Sequence, residues 1–298
     1  MSSAVERVTG RVLGVYRGWA RDTSVAQMRQ DWDEFFPPPS SDISVRPDVI
    51  GGVPVSWITA PGASDDRLFV YVHGGGFRIG SPRSHGDLIA RLSEASGATG
   101  LAIDYRLAPE HPFPAAIDDV VAVLAALKTD IATVSVIADS AGGALLLSAV
   151  QILRERGAAL PAALVLLSPW VDLQMRGKSY ETCAATDRIH QRKMLVNLAT
   201  SYLRETDPAT PLASPIEADF TGFPPMLIHV GEGEVLLSDA ETLAERARAA
   251  GVPVELATWP GMIHVFQQFP AELAEARVAI DTIAAFINAP PLQRIGVA

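Results

Sequence analysis

The sequence predicts an α/β fold built on a doubly wound, mostly parallel sheet. Three observations predict it. Short runs of four to five residues, almost wholly apolar, recur along the chain. Longer stretches of helical character lie between most of them. The chain of 298 residues is 48% hydrophobic, enough to cover both faces of one large sheet. Runs of that length and purity mark strands buried on both faces, and strand–helix alternation implies right-handed crossovers.

The first forty residues read as amphipathic helices that break at Pro37, Pro38 and Pro39. We expect residues 1–40 to form cap helices and residues 41–298 the main domain. Ile43 to Arg46 and Val53 to Thr59 flank Gly51-Gly52, which predicts a hairpin. The buried strands are expected at Leu68 to Val72, Leu101 to Asp104, Val134 to Ala138, Leu164 to Leu167, Met226 to Val230 and Val254 to Ala257. Helices are expected at Asp87 to Ala95, Ala115 to Lys128, Ala141 to Glu155, Asp239 to Ala250 and Ala271 to Ile287, with Gly251 as a C-terminal stop. Between Leu167 and Met226 no strand stands out. That interval is too long for a plain crossover and reads as an inserted cap at about 175–220.

Composition narrows the function classes. A net charge of −10 disfavours nucleic acid and anionic membrane surfaces as partners. Cys183 is the single cysteine, so neither an internal disulfide nor a cysteine-based metal cluster is expected. It reads as a structural or surface thiol. Charges interrupt each apolar run near the N-terminus, and no stretch has the length of a membrane span. These features predict a cytoplasmic protein.

In doubly wound sheets, ligands sit at the carboxyl ends of strands, so chemistry is sought there. Ala138-Asp139-Ser140-Ala141-Gly142-Gly143 runs from a buried strand into an apolar helix. This order predicts a nucleophile elbow, a tight turn that lifts Ser140 above the sheet, with helix N–H groups behind it. Asp139 reads as a structural residue of that elbow. His73-Gly74-Gly75-Gly76-Phe77 follows the strand Leu68 to Val72, and its N–H groups can face a carbonyl oxygen that becomes negative. Of the six histidines, only His264 combines a position after the last strand with the chain order serine, acid, histidine. His229 reads as core and His73 as a brace for the glycine loop, while His85, His111 and His190 read as surface or packing residues. The acid should follow the strand Met226 to Val230. Glu234 is preferred there, Asp239 is second and Glu232 third. Asp239 is weakened because Ser238 and Glu241 form a capping-box pattern that accounts for an acid in the first helical turn.

At these residues the chain resembles the bacterial hormone-sensitive-lipase-like carboxylesterases, the family IV branch of the α/β-hydrolase superfamily. The glycine loop and the elbow carry the resemblance. So do the segment from Asp104 to Ala116, Ser168-Pro169-Trp170-Val171-Asp172-Leu173 and Gly261-Met262-Ile263-His264-Val265-Phe266. It runs from about Leu68 to Ile287. The resemblance implies an α/β-hydrolase fold with an eight-stranded sheet under a helical cap, and neither metal nor organic cofactor. It implies Ser140 as nucleophile, His264 as base, and the N–H groups of Gly74, Gly75 and Ala141 as oxyanion hole. Two departures stand out. Glu234 takes the place of the usual aspartate, and Ala138 stands where the family has glycine. The expected activity is hydrolysis of short-chain carboxylic esters through an acyl-enzyme. Opening of ε-lactones, as in monoterpene lactone hydrolases, is the alternative within the enzyme class, and a non-catalytic small-ligand binder is the alternative outside it. Phe77, Trp170, Met194 and Leu195 are candidate apolar walls. A homodimer through the edge of the last strand is also expected from the resemblance.

Overall fold

The computed structural model describes residues 2–289. Two helices come first, α1 (Ser3–Gly18) and α2 (Val25–Phe35), capped by Ser2 and Ser24 through bonds from Val5 N and Gln27 N. A hairpin follows, β1 (Ser44–Ile50) and β2 (Val53–Thr59), joined by Gly51 and Gly52 at φ 60° and 81°. Two positive φ values in succession are what a two-residue hairpin turn requires, and glycine adopts them without strain. β1 runs longer than expected from its sequence. It is an edge strand with almost every residue exposed, so it lacks the apolar run that marks the others, and Pro47 is tolerated there.

The remaining elements alternate: β3 (Ser64–Val72), α3 (Gly86–Ser96), β4 (Ala98–Ile103), α4 (Ala115–Ala126), β5 (Ser135–Asp139), α5 (Ala141–Glu155) and β6 (Ala163–Leu167). After the inserted α6 (Ser179–Thr182) and α7 (Arg192–Leu203) come β7 (Met226–Gly231), α8 (Leu237–Ala249), β8 (Val254–Trp259) and α9 (Ala274–Asn288). The sheet has eight strands in the order β1-β2-β4-β3-β5-β6-β7-β8. β1 and β2 are antiparallel to their neighbours, and every pairing from β4 through β8 is parallel.

The period-two pattern of the strands sorts their side chains into two cores. Val70, Val72, Val136, Leu164 and Leu166 pack toward α4, α5 and α8. Phe69, Tyr71, Ile137, Val165 and Leu167 pack toward α3 and α9. A third cluster joins Val5, Val8 and Val12 of α1 and Trp32 and Phe36 of the α2 region to Ile263, Phe266 and Phe269. That cluster binds the N-terminal helices over the carboxyl ends of the strands. Arg29 on α2 pins the same contact: its guanidinium donates to the carbonyls of Arg78 and Ala108 and to both oxygens of Glu110. Among the described residues, no helix is long and apolar enough to cross a membrane.

Candidate active site

β5 ends at Asp139, and the chain turns through Ser140 at φ 51°, ψ −124° into α5. A non-glycine residue at positive φ is strained, and here three bonds hold it. Ser140 N donates to the Leu167 carbonyl at 2.8 Å, and the Ser140 carbonyl accepts from Gly143 N and Trp170 N at 3.0 Å each. Gly142 is a steric requirement, since a Cβ there would lie 2.3 Å from the Val72 carbonyl oxygen. The methyl of Ala138 is fully buried in the α4–α5–α8 core, and the elbow forms with it in place.

The histidine and acid come from the two loops beyond. His264 Nδ1 lies 2.8 Å from Glu234 Oε2. The other carboxylate oxygen of Glu234 accepts from Gly231 N at 2.6 Å and from the Ser168 hydroxyl at 2.8 Å. Ser168 Oγ in turn accepts from Val265 N at 3.1 Å, so one hydroxyl ties the acid loop to the histidine loop. Burial pushes the Glu234 carboxyl up to about 7 against the pull of its bonds from Gly231 and Ser168. Burial also pushes His264 down to about 4, against the attraction of Asp187 and Asp139. The lowered value of His264 favours the neutral imidazole, the form that can accept a proton.

The structure separates the three competing acids. Asp239 is buried, but it faces the loop after β6. Its carboxylate accepts from Val171 N, Asp172 N and the Tyr180 hydroxyl at 2.9–3.0 Å. Glu232 is exposed. Glu234 alone of the three meets His264. The expected capping box does not form: α8 begins at Leu237, and the Ser238 hydroxyl accepts from Ser179 N instead.

The glycine loop departs from expectation at one residue. Gly74 N donates to Asp139 Oδ1 at 2.9 Å, so this amide is committed to the elbow. A Cβ at Gly74 would fall 2.1 Å from Asp139 Oδ2, which explains the glycine without any role for its N–H in binding. Gly75 and Gly76 line the cavity above Ser140. Among the described residues the N–H groups of Gly75, Gly76 and Ala141 carry no protein partner. Gly76 therefore replaces Gly74 in the candidate oxyanion hole. Asp139 is the structural residue expected of it. Besides Gly74 it accepts from the Tyr71 hydroxyl at 2.9 Å and sits 3.3 Å from His85 Nε2. Burial raises its pKa, but His85 and the Tyr71 bond outweigh burial and hold it below the usual range. His73 braces the loop as expected, with Nδ1 2.8 Å from the Gly74 carbonyl and its ring stacked on Tyr105.

A cavity of about 440 Å³ opens above these groups, lined by Ser140 and His264. Trp170, Met194 and Leu195 form part of its wall, with Trp19, Met28 and Trp32 from the N-terminal helices. Phe77 is absent from that wall; it stacks on Tyr202 with ring centroids 3.9 Å apart. Two histidines read as surface or packing residues lie at the site instead. His85 is buried against Asp139, and the ring centroid of His190, on the segment before α7, is 4.2 Å from that of His264. Their isolated positions in sequence carry no signal, because each is placed by a cap segment or helix start that folds back over the sheet. No sequence feature singles out Ser168 as a support for the Glu234–His264 contact, although it begins a segment that carries the resemblance.

A serine at a strand–helix elbow, a histidine bound to a buried acid, and free amides beside them are the parts that a serine hydrolase needs. Comparison with known proteins shows the family. A family model described as the alpha/beta hydrolase fold matches residues 69–268. An acetyl-hydrolase of Streptomyces hygroscopicus is 43% identical over 80% of this chain and 81% of its own length. An esterase of Acinetobacter venetianus is 33% identical over 84% of this chain and 83% of its own. The crystal structure of an esterase from the bacterial hormone-sensitive lipase family superposes with a TM-score of 0.92 at 40% identity, covering 99% of each chain. The chain belongs to the α/β-hydrolase fold family, in its bacterial hormone-sensitive-lipase branch.

Proposed function

We propose that this carboxylic ester hydrolase cleaves short-chain esters through an acyl-enzyme on Ser140. The observation that carries the reading is the His264 Nδ1–Glu234 contact of 2.8 Å beside a cavity that Ser140 also lines. With Nδ1 bound to the carboxylate, Nε2 is the nitrogen available to Ser140. His264 takes the hydroxyl proton as Ser140 Oγ attacks the ester carbonyl, and Glu234 supports the imidazolium that forms. The N–H groups of Gly75, Gly76 and Ala141 receive the oxyanion. Collapse of the tetrahedral intermediate breaks the C–O bond, and His264 returns the proton to the departing alcohol. Water, deprotonated by His264, then releases the acid and restores Ser140.

The limit on chain length rests on the roof. α2, the chain at the end of α1 and the segment around α7 wall the cavity with Trp19, Trp32, Met194 and Leu195. The test compares p-nitrophenyl butyrate with p-nitrophenyl palmitate. Faster cleavage of butyrate supports the reading, and faster cleavage of palmitate overturns the short-chain assignment. The same attack opens a ring ester, so a seven-membered lactone belongs in the panel. The intact His264–Glu234 contact supports catalysis over ligand binding alone, because a binder has no use for a base held this way.

A further inference from the structure

We propose that Arg78 makes this cavity selective for esters that also carry a carboxylate. The inference rests on the ester-hydrolase reading and narrows its substrate class. Arg78 stands two residues beyond Gly76, on the loop that bears the candidate oxyanion amides, and it lines the same cavity as Ser140 and His264. It is the one lysine or arginine in that lining. Its Nε is buried without a partner, and among the described residues its guanidinium makes neither an ion pair nor a side-chain hydrogen bond.

Several other arginines of this chain have carboxylate partners. Arg29 holds Glu110, Arg106 holds Asp119, and Arg176 holds Asp172 and Glu217. With 34 acidic residues against 24 basic ones, carboxylates are not scarce. The lining contains one, Asp139, and it is taken by Tyr71, Gly74 and His85. Gln268 adds a second donor to the same lining, because its Nε2 is also buried and unpartnered. A guanidinium and an amide N–H left unpaired in an otherwise largely apolar cavity match a group that is anionic and accepts hydrogen bonds. A carboxylate does both, and arginine binds it through paired N–H···O bonds. Arg78 has no carboxylate partner in the protein, and Gln268 Nε2 has no acceptor, so a substrate carboxylate would supply both the charge and the lone pairs that these donors lack.

The test measures kcat/KM for matched esters. On the acyl side, mono-p-nitrophenyl adipate is compared with p-nitrophenyl hexanoate; on the alcohol side, 4-acetoxybenzoate is compared with phenyl acetate. The ratio of charged to neutral ester is measured for the wild type, Arg78→Met and Arg78→Lys. We expect Arg78→Met to lower that ratio about tenfold or more in at least one arm. Arg78→Lys should keep part of it, and added salt should lower the wild-type ratio while leaving that of Arg78→Met flat. The arm that responds tells whether the carboxylate sits in the acid or in the alcohol. Equal ratios in the wild type and Arg78→Met in both arms would overturn the inference while the ester reading stands. Failure of the wild type to cleave any of the four esters would remove that reading and the inference with it.

Discussion

At the scale of single residues, two buried carboxylates that sequence alone leaves in competition have different work. Glu234→Gln keeps the shape of the side chain but puts a donor where His264 needs an acceptor. The loss should approach 10⁴-fold in kcat, about that seen when a triad acid becomes an amide, with little change in the melting temperature. Asp239→Asn should do the reverse. It disturbs two backbone amides and the Tyr180 hydroxyl, groups bonded to neither Ser140 nor His264. An unsatisfied buried group costs about 1–3 kcal/mol, so the melting temperature falls while kcat drops far less than in Glu234→Gln. Kinetics and thermal melts on both variants check the pair of outcomes, and equal kinetic damage would contradict the assignment. The positions of Ser140 and His264, the proposed nucleophile and base, were legible in the sequence because each follows a strand. The acid was legible as a preference. Gly74 was not, because the amides of adjacent glycines differ only in where they point, and the acceptor that claims this one, Asp139, lies 65 positions away. Ser168 acts through a hydroxyl shared by two loops, at a positive φ of 47° that no motif announces.

At the scale of elements, the strands buried on both faces were readable because burial removes polar residues from them. β1 was read only in part, since its residues face solvent and carry no such purge. Residues 175–220 were legible as an interval without strands but not as a surface, because their contacts are with distant chain. Arg29 ties α2 to the main domain in addition to the apolar third cluster. Arg29→Ala removes every side-chain bond from that residue to Arg78, Ala108 and Glu110. Hydrogen bonds to charged groups contribute about 1.5–3 kcal/mol, so the urea midpoint should fall. α2 supplies Met28 and Trp32 to the cavity, and so KM for p-nitrophenyl butyrate should rise more than kcat falls. An unchanged midpoint together with an unchanged KM would show that α2 does not depend on this residue.

At the scale of the whole molecule, buried titratable groups set the response to acid. Burial, chiefly, holds His73 and His190 down to about 3, and His229 and His264 down to about 4. Between about pH 4 and the ordinary imidazole value near 6.5, the unfolded chain binds these protons and the folded one does not. Stability therefore falls as pH drops through that window. Glu234 and Asp239 are pushed up to about 7, mainly by burial, and act in the opposite sense, since the folded state holds their protons there. Glu234 and His264 offset each other as a hydrogen-bonded pair, which leaves three histidines against two carboxyls, Asp239 and Asp104, the latter raised by burial and by Asp33. The melting temperature should decline from pH 6.5 toward pH 4, and a flat or rising profile over that range would contradict the burial of these rings.

The proposed reaction depends on one activated hydroxyl, that of Ser140. Incubation with diethyl p-nitrophenyl phosphate, followed by mass analysis of the intact chain and of its peptides, tests this most directly. The prediction is one diethylphosphoryl group per chain, on the peptide that contains Ser140, and loss of that adduct in His264→Ala. No adduct, or an adduct on a peptide without Ser140, would contradict it.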